Sequence, residues 1–300
     1  MISNVRQLPD SFKQRIVRTP EREKVSALLR SLRLHTVCEE AKCPNRNGCY
    51  AQGTATFLVL GRHCTRACRF CAVTQDKPDA SDPGEPERVA QAVRGLGLSY
   101  AVITSVARDD LPDGGAGHFA DVIGAIRTLS PGAIVEVLTP DFQGNPGSIQ
   151  SVIEAKPDVF NHNLETVERL YPLIRPQADY RRSLALLRQA KDAGLVTKCG
   201  LMAGLGETAE EIKTVLRDLS AAGCDLVTIG QYLAPSSAHL PVARFWSETE
   251  YAGITQYGES LAGITKVLAG PLVRSSYRAR EIHRETALRR NWIADRNGKR

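Results

Sequence analysis

The sequence predicts an α/β protein: a partial (β/α)6 barrel of the TIM type, with N-terminal and C-terminal extensions covering its mouth. Three observations carry this. Six apolar, strand-like runs occur at 54–61, 100–106, 133–139, 159–164, 196–202 and 226–233, and helix-like stretches at 85–96, 118–129, 180–193 and 209–222 separate most of them. Strict alternation of this kind builds a parallel sheet with helices outside it. Six units are fewer than the eight of a closed barrel, so the sheet is expected to stay open, with loops at the C-terminal strand ends building the site.

Residues 1–53 form an arm with little periodicity beyond 21–34, and are read as an N-terminal extension. Residues 54–235 hold the barrel units, and 236–300 a C-terminal extension. Thr208-x-x-Glu211 and Ser247-x-x-Glu250 have the form of capping boxes and mark helix starts. No internal repeat or low-complexity segment interrupts the chain.

Composition narrows the function. The 300 residues are 42% apolar, enough for a large core. No apolar run approaches membrane-spanning length, so no membrane partner is expected. The first twenty residues, MISNVRQLPDSFKQRIVRTP, mix acid with base and hold no continuous apolar segment, so no signal peptide is expected and the chain reads as cytoplasmic. The net charge is +6, and much of it sits in 278–300, with Arg284, Arg289, Arg290, Lys299 and Arg300. No aromatic platform alternates with those charges, so they read as a solvated tail and no nucleic-acid partner is expected.

Six of the eight cysteines fall in two triplets, Cys38-x4-Cys43-x5-Cys49 and Cys64-x3-Cys68-x2-Cys71, fifteen residues apart. In a cytoplasmic chain such clusters read as metal-binding rather than disulfide-bonded. Each triplet supplies three thiolates, one short of closing a four-iron cluster or a tetrahedral zinc, and a vacant metal position is where chemistry occurs. The second triplet follows the first barrel strand, at the ligand-binding face. A closed zinc site needs a fourth ligand and usually pairs two Cys-x-x-Cys knuckles. His63 adjoins Cys64 too closely to turn back onto the same metal, so the spacing favours iron–sulfur. Cys199 and Cys224 stand alone in apolar runs and read as buried small hydrophobes.

The Cys64–Cys71 spacing resembles the signature of the radical S-adenosylmethionine (SAM) superfamily. Cys38-Glu-Glu-Ala-Lys-Cys43-Pro-Asn-Arg-Asn-Gly-Cys49 resembles the auxiliary-cluster motif of the lipoyl synthase family. That resemblance continues, in order, through 61–73, TSVARDDLPDGGAGHF (104–119), FNHNLETV (160–167), RPQADYRRSL (175–184), LMAGLGET (201–208), TIGQYL (228–233) and GPLVRSSYRA (270–279). Two positions depart from the pattern: Ala107 stands where the family usually has an acid, and Cys199 where it usually has serine.

The resemblance implies two [4Fe-4S] clusters and S-adenosyl-L-methionine as cosubstrate. Cys64, Cys68 and Cys71 are then the ligands of the cluster that cleaves SAM. Cys38, Cys43 and Cys49 hold the auxiliary cluster, which is consumed as sulfur donor and takes a serine as fourth ligand. That serine is Ser275 or Ser276, and Ser275 is preferred, although locally it reads as a helix N-cap. The implied reaction is insertion of sulfur at C6 and C8 of an octanoyl chain bound to a carrier lysine, with no acid or base among the side chains. Implied partners are octanoylated lipoyl carriers (E2 lipoyl domains of 2-oxo acid dehydrogenases, the glycine cleavage H protein) and an electron donor such as ferredoxin or flavodoxin.

Cofactor contacts are expected from Asp113, Gly114 and Gly115, which resemble the superfamily's glycine-rich turn for the methionyl group, and from Gly204 on the adenosine side. The glycine segments serve equally as turns. Asn161, Asn163 and Glu165 are polar groups ending an apolar strand at the ligand face. Arg175 and Lys198 are read as reaching cofactor or substrate carboxylates, with a surface salt bridge the alternative for each. Phe70, Thr104, Gln231 and Tyr232, within or beside the matched blocks, complete the expected set. A non-catalytic iron–sulfur or zinc carrier has no need of the glycine-rich segments, and a radical enzyme acting on nucleic acid lacks its basic, aromatic appendage here.

Overall fold

A computed structural model describes Phe12 and residues 18–286. Arg289, Arg290, Lys299 and Arg300 of the basic tail, and most of the first twenty residues, lie outside the described residues. Helix α1 (Pro20–Ser31) starts where Thr19 accepts from the Arg22 N–H, with Pro20 at the first position and Glu21 and Glu23 at the positive end of the dipole. Strand β1 (His35–Thr36), α2 (Val37–Glu40) and α3 (Arg46–Ala51) complete the arm. β1 pairs antiparallel with β2 (Thr56–Val59), so the arm adds an edge to the main sheet.

Two short strands, β3 (His63–Cys64) and β4 (Thr74–Gln75), pair around the second cysteine triplet. The alternation then runs α4 (Glu85–Gly95), β5 (Tyr100–Ser105), α5 (Ala116–Leu129), β6 (Ile134–Leu138), α6 (Pro146–Glu154) and β7 (Val159–Asn161). It continues through α7 (Tyr171–Ile174), α8 (Tyr180–Asp192), β8 (Val196–Ala203), α9 (Ala209–Ala221), β9 (Leu226–Gln231), α10 (Glu248–Ser260) and β10 (Lys266–Gly270). Residues 279–286 are again helical. Both predicted capping boxes form, at Thr208/Glu211 and Ser247/Glu250.

The sheet order is β1-β2-β5-β6-β7-β8-β9-β10, parallel at every pairing except β1–β2. All six predicted runs are strands of this sheet. It remains an open, partial barrel, since among the described residues β10 does not pair back to β1 or β2. β10 is a seventh parallel strand, in a stretch read from sequence as extension; only its register with β9 reveals it. Strands β2 and β9 are buried throughout, as a parallel sheet covered on both faces requires. Phe57, Ile103, Phe119 and Val137 centre one apolar cluster, and Leu201, Leu216, Ile229 and Val267 the other.

One polar network lies among these strands. Glu136 (β6), fully buried, accepts from Lys198 Nζ at 2.9 and 3.0 Å, from the Tyr100 hydroxyl at 2.6 Å and from Asn161 Nδ2 at 2.8 Å. Burial and the adjacent Glu136 carboxylate push the Tyr100 phenol far above its usual range, so it stays a donor. Beyond β10 the chain crosses β9. A Cβ at Gly230 would overlap the Val273 carbonyl, so only glycine permits this crossing. Asn45 Nδ2 donates to the Leu272 carbonyl at 2.7 Å, joining the first cysteine loop to the same segment. Among the described residues, no helix is long and apolar enough to cross a membrane.

Candidate metal and cofactor site

The second triplet leaves the end of β2 and is clamped from two sides. Cys64 Sγ accepts the backbone N–H groups of Arg66 at 3.4 Å and Ala107 at 3.3 Å. Arg66, 6% exposed, donates to both oxygens of Asp109 at 2.7 and 2.8 Å and to Asp141 at 2.6 Å, while Arg182 reaches the other Asp141 oxygen at 2.8 Å. Burial would raise the Asp141 carboxyl, but the guanidinium of Arg66 and the nearby charges of His162 and Arg182 overcome it and hold it at about 2. Burial pushes the Cys71 thiol up to about 12 and raises that of Cys68, against the pull of the Arg175 guanidinium.

The first triplet sits on two short helices. Thr36 caps α2 by accepting the Glu39 N–H, and its hydroxyl shares a 2.8 Å hydrogen bond with Tyr50 of α3. Burial raises Cys38 to about 12 and Cys49 to about 11, and the neighbouring thiols of the triplet add to both shifts. Cys43 faces the Arg274 guanidinium, which burial lowers although Cys43, Tyr251 and Glu165 all favour its charge.

Both loops and the C-terminal crossing open onto one cavity of about 500 Å³. Cys38, Cys43, Cys64, Cys68, Cys71 and Ser275 all line it; Cys49 is in the first triplet but not in the wall. Ser275 Oγ accepts from Asn161 Nδ2 at 2.7 Å and donates to Asn163 Oδ1 at 3.1 Å, and Asn163 Nδ2 donates to Glu165 at 3.0 Å. Ser276 lines the cavity without a hydrogen-bond partner among the described residues. As a test of whether a cofactor fits, Ser105 Oγ, Thr139 Oγ1 and Arg175 Nε belong to wall residues and are buried without partners, which is costly unless something else supplies them. Among the described residues no three His, Cys, Asp or Glu side chains are gathered for a single metal ion. A four-iron cluster takes each thiolate on a different iron and suits a wider donor set. The three thiols of Cys64, Cys68 and Cys71 beside the unpartnered wall atoms fit one such cluster with a bound cosubstrate.

Of the expected cofactor residues, Phe70, Thr104, Asn163, Glu165, Arg175, Gln231 and Tyr232 line this cavity. Thr104 Oγ1 nevertheless donates to the Leu138 carbonyl, and the Tyr232 hydroxyl to that of Leu240. The Gln231 amide is fully engaged with Arg244, Trp246 and Tyr251.

Asp113, Gly114, Gly115, Asn161, Lys198 and Gly204 are not in the wall. Asp113 accepts the N–H groups of Gly115 and Gly117 at the start of α5, and Gly115, at φ 88°, packs on Leu60. Gly204 and Leu205 donate to the buried Glu207, so that turn is tied to its own helix. Lys198, 1% exposed, is engaged by the equally buried Glu136, so the salt bridge it makes is internal rather than at the surface. Arg175 faces inward: its guanidinium donates to the carbonyls of Asn163 and Leu164 and stacks over Tyr171.

Sequence reasoning did not weigh His162, Arg66, Asp141 or Arg274. His162 lines the cavity, its Nδ1 on the Thr139 carbonyl and its Nε2 on Ser183. The carbonyl is an acceptor only, so the neutral ring carries its proton on Nδ1. Burial lowers this histidine to about 4. His162 stands inside FNHNLETV and Arg66 between two of the cysteines, and those positions were the available signal; Asp141 had none.

Comparison with known proteins agrees with this architecture. The model of the radical SAM superfamily matches residues 58–219. The chain is 54% identical over 275 residues to the lipoyl synthase of Rubrobacter xylanophilus, covering 91% of this chain and 85% of that one. It is 52% identical to that of Caldicellulosiruptor saccharolyticus, covering 91% and 96%. Among solved structures, Streptococcus suis SuiB bound to S-adenosylmethionine superposes with TM-score 0.57 at 12% identity, covering 75% of this chain and 54% of that one. Methylornithine synthase gives 0.53 at 16%, covering 84% and 79%. These two show the fold alone. With half the residues shared along nine-tenths of its length, the chain belongs to the lipoyl synthase family of radical SAM enzymes.

Proposed function

We propose the residue roles by which this chain, a radical SAM sulfurtransferase, converts a protein-bound octanoyl chain to a lipoyl group. Cys64, Cys68 and Cys71 hold the [4Fe-4S] cluster that binds SAM. Cys38, Cys43, Cys49 and Ser275 hold a second, auxiliary [4Fe-4S] cluster that donates sulfur to C6 and C8. The observation supporting this reading is that both cysteine loops and Ser275 meet at one cavity. When bound, SAM and the two clusters supply the hydrogen-abstracting radical and the sulfur.

The chain's own contribution is positioning. Arg66, through Asp109 and Asp141, fixes the Cys64–Cys71 loop against the strand ends. Leu58, Val106, Leu138 and Val273 give the cavity apolar wall that excludes water and suits an aliphatic chain. Arg274, beside Cys43, offsets the negative charge of bound thiolates. Asn45 ties the first cysteine loop to the serine-bearing segment. Substrates are octanoylated E2 lipoyl domains or the H protein, electrons come from a ferredoxin or flavodoxin, and the reaction takes place in the cytoplasm.

Anaerobic reconstitution should load about eight irons per chain, and about four would refute the two-cluster reading. Incubation of the reduced protein with SAM and an octanoyl-lysine peptide should yield thiol-containing product and 5′-deoxyadenosine; absence of both refutes the activity. Ser275→Cys should keep the auxiliary cluster and block its breakdown, whereas normal turnover would remove Ser275 from the ligand set.

A further inference from the structure

We infer that Asn161 is a positioning residue for Ser275, oriented for that task by the buried Glu136–Lys198 pair; this rests on the reading of Ser275 as an auxiliary-cluster ligand. Asn161, fully buried at the end of β7, uses the two hydrogens of one amide nitrogen on two acceptors, Glu136 at 2.8 Å and Ser275 Oγ at 2.7 Å. Its carbonyl oxygen is buried without a partner. An unpartnered buried carbonyl is costly, and turning the amide over would not relieve it. The flip would set that oxygen against the Glu136 carboxylate. Lys198 and Tyr100 hold that carboxylate in place, which leaves Asn161 a single productive orientation, with its N–H aimed at the serine oxygen.

The consequence concerns Ser275 and not its neighbour. The Ser275 oxygen receives the Asn161 donor on one side, and its hydroxyl hydrogen is directed at Asn163 Oδ1 on the other. Were this oxygen to ligate iron, its hydroxyl proton would have to be lost to bulk solvent as the cluster is loaded. The Asn161 N–H then remains on an oxygen that has become anionic, where a hydrogen bond is stronger than to a neutral hydroxyl. Asn161 thereby sets both where the serine oxygen lies and how readily it lets go of iron. Ser276 has no such partner among the described residues.

The test is auxiliary-cluster lability in reconstituted protein, read by iron release to a chelator and by the Mössbauer signature of the oxygen-ligated iron. Asn161→Leu removes the donor at similar volume, and Asn161→Ala removes it without adding bulk. In both, release from the auxiliary cluster should accelerate about tenfold, the equivalent of about 1.4 kcal/mol and the low end for a hydrogen bond to a charged group. The cluster on Cys64, Cys68 and Cys71 should be unaffected. Unchanged release in both variants overturns the inference. Loss of both clusters in both variants also overturns it, because Asn161 would then be a residue of the fold only. Wild-type protein that loads about four irons fails the underlying two-cluster reading instead.

Discussion

Lys198→Met separates two roles for this lysine, a contact to a cofactor carboxylate and the internal partner of Glu136. The ammonium lies 2.9 and 3.0 Å from the Glu136 oxygens, with side-chain exposures of 1% and 0%. Methionine keeps the volume of the stem and deletes the charge. Glu136 would then be a buried carboxylate holding only the Tyr100 hydroxyl and the Asn161 amide. Removing one member of a buried pair costs about 3–5 kcal/mol, and the two surviving hydrogen bonds favour the lower figure. At roughly 2 °C per kcal/mol for a chain of this size, thermal unfolding should fall by about 6 °C. The double variant Glu136→Gln/Lys198→Met, neutral on both sides, should recover more than half of the loss. The assay is a thermal melt of cluster-loaded protein, paired with SAM-binding titration. A melting point within about 2 °C of wild type, together with weakened SAM binding, would refute this reasoning and return Lys198 to the cofactor.

Three other outcomes follow from the same structure. Asp141→Asn leaves Arg66 and Arg182 facing a neutral amide; iron should be lost selectively from the Cys64–Cys71 side, and retention of about eight irons would show that the clamp is dispensable. Gly230→Ala places a methyl against the Val273 carbonyl and should displace the Ser275 segment, lowering reconstituted iron towards about four while the barrel still melts cooperatively. His162, facing Arg175, Asp141 and Arg66, titrates at about 4 when folded and about 6.5 when unfolded. The unfolded chain therefore takes up this proton first, and stability falls as pH drops from about 6.5 to about 4, by at most about 3 kcal/mol. Urea titrations across that window should show the slope, and His162→Gln should flatten it.

Much of the fold was legible because buried parallel strands leave apolar runs, and Thr208 and Ser247 announce their helices through capping boxes. Weaker signals failed. β1 has two residues and exists only through its pairing with β2, and β10 becomes a strand only through its register with β9. Helix α6 between β6 and β7 went unnamed, although Asn145-Pro146 is a cap followed by proline at the first position. The cysteine loops were legible because their spacing is local. The pairing of Lys198 was not legible, because its partner Glu136 stands 62 residues earlier in the chain.

The sequence by itself determined the alternating sheet, the two cysteine triplets and the family, since each depends on neighbours along the chain. Tertiary structure decided which polar groups face the cavity and which face one another. Asn161 and Asn163 are two residues apart in one motif, yet Asn163 lines the cavity while Asn161 turns to Glu136 and Ser275. That division is set by strand register and by the crossing of the C-terminal segment over Gly230, contacts between residues far apart in sequence.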